Sequence, residues 1–97
     1  MTVPNGAKNG ILILCGSFWN NYLVNFSEPS GDGIVSAVKF YEGYSNNSTS
    51  NVYANIHIVI YTVAIKSGGT ITATNSFVTE PNVNSDTMSS TSMVLLY

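Results

Sequence analysis

Residues Val52 to Lys66 read Val-Tyr-Ala-Asn-Ile-His-Ile-Val-Ile-Tyr-Thr-Val-Ala-Ile-Lys. The even positions, Val52, Ala54, Ile56, Ile58, Ile60, Thr62 and Ala64, are nearly all apolar. The odd positions, Tyr53, Asn55, His57, Val59, Tyr61, Val63 and Ile65, are mixed. A period of two puts these sets on opposite faces of an extended chain. β-Branched and aromatic side chains pack well on a pleated surface and lose rotamer freedom in a helix. The segment therefore predicts a β-strand, long enough to bend or carry a bulge.

On the N-terminal side, Ser45 to Asn51 is a polar loop, and Ile34 to Tyr44 predicts another strand. Its two faces read Ile34, Ser36, Val38, Phe40 and Val35, Ala37, Lys39, Tyr41. Glu28-Pro29-Ser30-Gly31-Asp32-Gly33 is a loop, because Pro29 lacks a donor N–H and the glycines permit φ > 0. Tyr22, Val24 and Phe26 alternate as a strand, and Gly16 to Asn21 reads as a turn. Ile11-Leu12-Ile13-Leu14-Cys15 predicts a strand apolar on both faces. Residues 1–9 read as a flexible lead-in to a single domain over 10–97.

On the C-terminal side, Ser67-Gly68-Gly69 is a tight turn. Thr70, Thr72 and Thr74 then alternate with Ile71 and Ala73, and Phe77-Val78 continues that strand or starts another. Glu80 to Asp86 is a loop, and Met93 to Tyr97 is a final apolar strand. No stretch holds helical periodicity, and good helix formers are scarce. The expected fold is all-β: an antiparallel β-sandwich or small barrel of about six to seven strands.

Only 8% of the residues are charged while 44% are hydrophobic, so little ionisable material exists for a reaction centre. Lys8, Lys39 and Lys66 are scattered and there is no Arg, which argues against nucleic acid as a partner. No apolar run is long enough for membrane insertion by a helix. The start of the chain has no basic stretch leading into an apolar core, so no secretory signal is read there. Cys15 is the sole cysteine, which excludes an internal disulfide and suggests an inert buried thiol. Neither a metal nor a cofactor is expected on ligand count.

Acid–base catalysis would have to draw on Glu28, Asp32, Glu42 and His57, and these form no recognisable motif. His57 reads as a half-buried imidazole bonded to a neighbour. The aromatic and amide residues are more telling. Trp19 and Tyr22 flank Asn20-Asn21, Tyr41 and Tyr44 precede Asn46-Asn47, and Tyr53 follows that loop. Rings offer apolar faces and amides offer directional hydrogen bonds, a pairing that suits a sugar. These nine residues are the expected ligand contacts. Ile11, Ile13, Met93, Leu95 and Tyr97, on terminal strands apolar on both faces, are the expected interface between copies.

Asn9-Gly10-Ile11-Leu12-Ile13-Leu14-Cys15-Gly16-Ser17, the Thr-rich Gly69 to Thr74, and the close Ser92-Met93-Val94-Leu95-Leu96-Tyr97 resemble the C-terminal domains that end bacteriophage tail fibres. Those domains often carry an aromatic, a Trp and a Gly where this chain has Cys15, Met93 and Leu96. The resemblance implies a homotrimeric, β-rich tip that touches a host-cell receptor. The expected function is thus a non-enzymatic module of a virion or extracellular assembly, oligomeric, contacting a cell-surface glycan or protein. The alternative is a purely structural self-assembling subunit of a capsid, decoration layer or filament.

Overall fold

The computed structural model describes the backbone of residues 1–19, 23–49, 52–78 and 89–97, and the side chains of 1–17, 25–44, 56–74 and 91–97. These residues are all-β, with no helix among them. The strands are β1 (Asn9–Trp19), β2 (Leu23–Phe26), β3 (Ile34–Thr49), β4 (Val52–Ile65), β5 (Asn75–Val78) and β6 (Ser89–Leu96). One antiparallel four-stranded sheet has the order β3-β4-β1-β6, and β2 pairs with β5.

Registry assigns the faces of the large sheet. Leu12 lies opposite Tyr61 and Leu95, and Leu14 opposite Val59 and Met93. One row on, Ile13 lies opposite Ile60 and Val94. Cross-strand partners share a face, so the odd residues of β4 lie on one face and the even residues on the other. The odd face is the buried one: His57, Val59, Tyr61, Val63 and Ile65 are all buried, with Leu12 and Leu14. Burying each such leucine contributes roughly 1.5–3 kcal/mol. The more mixed alternation of β4 therefore faces the core, and the isoleucine row faces away from it.

The covering side chains come from outside the sheet. Val3 and Ile71 are 1% and 0% exposed, and Ala7, Phe26 and Ala73 pack against the same cluster. Residues 1–9, expected as a lead-in, thus carry a core residue. Met1 and Ile71 exchange backbone bonds, the Met1 ammonium donating to the Ile71 carbonyl at 2.7 Å. Val3 N–H donates to the Gly69 carbonyl. The loop at 28–33 is laid along the same stretch. Ser30 and Thr72 exchange two 2.8 Å bonds, and the Asp32 carboxylate accepts the Thr70 N–H at 2.7 Å.

β3 is longer than its sequence suggested, because Ser45 to Thr49 stay in register with β4 although Ser and Asn favour turns. β1 likewise runs through Gly16, expected as a turn, which pairs with His57. Register shifts in β3 fall between Ile34 and Ser36 and between Lys39 and Tyr41. Each leaves one extra residue, Val35 or Phe40, and breaks the simple alternation read for this strand. Ala37, Lys39, Glu42 and Tyr44 pair with odd residues of β4, while Val38 and Tyr41 pair with even ones. The loop expected over Glu80 to Asp86 lies outside the described residues.

Candidate functional site

The bulge at Phe40 builds the main polar cluster. Residues three apart on a regular strand point to opposite faces. With one extra residue between them, Lys39 and Glu42 share a face, and Lys39 Nζ donates to Glu42 Oε2 at 3.1 Å. Glu42 Oε1 lies 3.7 Å from His57 Nε2, too long for a hydrogen bond. Tyr44 stacks on His57 with ring centroids 4.1 Å apart and planes 9° apart. Phe26, from β2, meets the same imidazole at 5.4 Å. The Tyr44 hydroxyl donates to Asn25 Oδ1 at 3.5 Å.

Electrostatics follow from these contacts. The Lys39 hydrogen bond, helped by the charges of Lys39 and His57, holds the Glu42 carboxyl below its ordinary range against desolvation, which pushes it up. The same pairing raises Lys39. Desolvation raises the Tyr44 phenol, with the nearby Glu42 charge adding to it, and burial raises Tyr61. His57 is 2% exposed and closed between two rings. Among the described residues, Phe26 and Tyr44 cover this imidazole, and Glu42 stands at its Nε2 edge. The cluster is suited to holding β2 against the sheet edge and presenting the outer side of Tyr44, which is 53% exposed.

The other expected site residues can now be placed. Tyr41 is exposed on the opposite face from His57, its ring over Gly43, where a Cβ would meet Tyr41 Oη at 2.5 Å. Backbone register brings Trp19, Asn47 and Ala54 into one row and sets Asn46 opposite Asn55 and Ser48 opposite Tyr53. Trp19, Asn46, Asn47 and Tyr53 therefore gather at the Tyr44 end of the sheet as backbone positions. Asn20, Asn21 and Tyr22 lie outside the described residues. The Asp32 carboxylate is taken up by the Thr70 N–H, whereas the Glu28 charge acts on Lys39 and Tyr61 beside this cluster. Phe26 and Asn25 were not singled out as site residues. Their approach to Tyr44 and His57 arises from tertiary packing, which no local pattern carries.

Of the expected interface residues, Ile11 and Ile13 lie on the outer face, with Ile11 exposed. Met93 and Leu95 pack against the core of their own chain, and Tyr97 is exposed beyond β6. Cys15 is half-buried on the outer face, opposite Ile58 and Ser92. A cleft of about 270 Å³ opens beside Leu14, Phe26, Ala73, Thr91, Ser92 and Met93. Among the described residues, no three His, Cys, Asp or Glu side chains gather as a metal site. No helix among them is long and apolar enough to cross a membrane.

No family model, no curated protein and no solved structure matches this chain.

Proposed function

We propose that this chain is a non-enzymatic binding module of a virion or other extracellular assembly, akin to the tail-fibre tip domains its ends resemble. In this reading it is an antiparallel sandwich or small barrel that works as a homo-oligomer, a trimer where that resemblance holds. It contacts a glycan or protein on a cell surface. The observation that carries the reading is the Tyr44 end of the sheet. Tyr44 is exposed there on the core side and Tyr41 on the opposite side, and register draws Trp19, Asn46, Asn47 and Tyr53 to the same end. Aromatic faces stack on the C–H faces of a sugar, and amides supply the directed hydrogen bonds its hydroxyls require. Tyr44 is held in place by its stack on His57, so little conformational entropy is lost when a ligand meets it.

The test is binding of the full chain, displayed multivalently, to a glycan array and to intact cells. Signal from the parent chain that falls at least about tenfold in Tyr44→Ala, one good contact's worth, supports the reading. A blank array together with no cell binding contradicts it. The second reading, a purely structural subunit, is favoured by the uncharged apolar face of the large sheet. Filaments or shells in electron micrographs, with array and cells both blank, would select it.

A further inference from the structure

We infer that the outer face of the four-stranded sheet is a self-association surface, and that it packs against the same face of a second copy of this chain. The inference rests on the homo-oligomer part of the proposed function and names the surface used.

An antiparallel sheet with one face in water alternates apolar and polar residues, whereas strands covered on both sides read as continuous apolar runs. The central strands here are of the second kind. Their core-facing rows are covered by Val3, Ile71 and Phe26 of the same chain. The opposite rows set Ile11 beside Leu96 and Thr62, and Ile13 beside Ile60 and Val94. Ile58 follows one row on, opposite Cys15. None of these positions is charged. Val94 and Leu96 remain 45% and 52% exposed, next to Ile11 at 38%. The charged residues of β3 and β4, Lys39 and Glu42, lie with His57 on the core side.

Area supports a second copy as the occupant. Four strands about 4.8 Å apart and eight residues at about 3.3 Å each give a face of roughly 500 Å². Two such faces bury about 1,000 Å² by projection, near the threshold of a specific interface. The face has no charge, so it demands no partner of opposite sign. A row of Ile, Val and Leu that ends on Tyr41 of β3 can meet its own copy across a two-fold axis. Packing at about 10 Å with strands within about 30° would complete a sheet-on-sheet layer between chains.

The test is sedimentation velocity of the full chain from about 1 to 200 μM, spanning the affinities expected of a small interface. A concentration-dependent dimer is expected. Val94→Lys with Leu96→Lys should weaken association at least about tenfold while circular dichroism stays unchanged, because lysines would have to be desolvated on the partner's face. Should the double variant fail to fold, labelling of the native Cys15 thiol keeps the question open to refutation. Its rate should fall as protein concentration rises, and a rate that does not change overturns the inference. A chain monomeric throughout overturns both this inference and the homo-oligomer reading. A trimer, or any oligomer that survives both lysines, overturns the inference and leaves that reading standing.

Discussion

Gly33 and Gly69 cross where the loop before β3 meets the turn after β4. A Cβ on Gly69 would lie 2.5 Å from Gly33 Cα and 2.6 Å from its nitrogen, against backbone that cannot rotate aside. Gly69→Ala should therefore cost about 1–3 kcal/mol in urea unfolding. A parent-like midpoint would contradict the close crossing. Glu42 supplies a pH-dependent contribution. Its folded pKa is depressed, first by the Lys39 hydrogen bond. Its stabilisation is then complete above the unfolded carboxylate value, about 4.3, and is lost as pH falls through the lower folded value. The pair is solvent-exposed, so the effect should be small. Urea midpoints of Glu42→Gln and the parent should differ most near neutrality and converge in acid. Little of this was legible in advance. His57 could be read as a packed imidazole, but its neighbours Phe26, Glu42 and Tyr44 stand at separations that no strand period predicts. Val3 was unreadable as core, because nothing local distinguishes it from a tail residue.

At the scale of elements, β3 tests how faces are assigned. Phe40 is the extra residue of a bulge, so its deletion should leave every other β3 side chain on its present face. Ile58 has no such spare position, and deleting it should transfer His57 and the residues before it to the opposite face. The Phe40 deletion is expected to keep a cooperative β-type melt and the Ile58 deletion to lose it, as read by circular dichroism. β6 gives a second contrast. Leu95 packs against the core whereas Leu96 is half exposed on the other face. Leu95→Ala should cost about 2–4 kcal/mol. Leu96→Ala, measured at low protein concentration, should stay within about 0.5 kcal/mol. Equal costs would mean the β6 register is wrong. Periodicity revealed β1, β3, β4 and β6, since their Ile, Val, Leu and Tyr runs are strand-like at any register. It did not reveal their ends: Gly16 and the Ser-Asn-Asn stretch of β3 look like breaks, and only partner strands hold them extended. Nor could it reveal the bulges, which change phase without a distinctive residue.

The whole molecule is slender. Its extents are 49 × 20 × 17 Å, and its radius of gyration is 15.3 Å, against about 13 Å for a compact domain of this length. One face of its long sheet is covered from within, and on the other Ile11, Val94 and Leu96 are exposed. Composition made a second apolar face legible: the strands are apolar on both sides and charge is nearly absent. Which rows belong to it was not legible, because the two faces of β4 differ too little in hydropathy. Its isoleucine row is the more uniformly apolar of the two and faces away from the core.

The most direct measurement is an isotope-filtered nuclear Overhauser spectrum of a mixed sample, half of the chains carbon-13-labelled at Ile, Leu and Val methyls and half unlabelled. Cross-chain contacts among Ile11, Ile13, Ile60 and Val94 are expected. Cross-chain contacts confined to Leu12, Leu14 or Val63, or none at concentrations where the chain self-associates, would contradict the assignment of inner and outer faces.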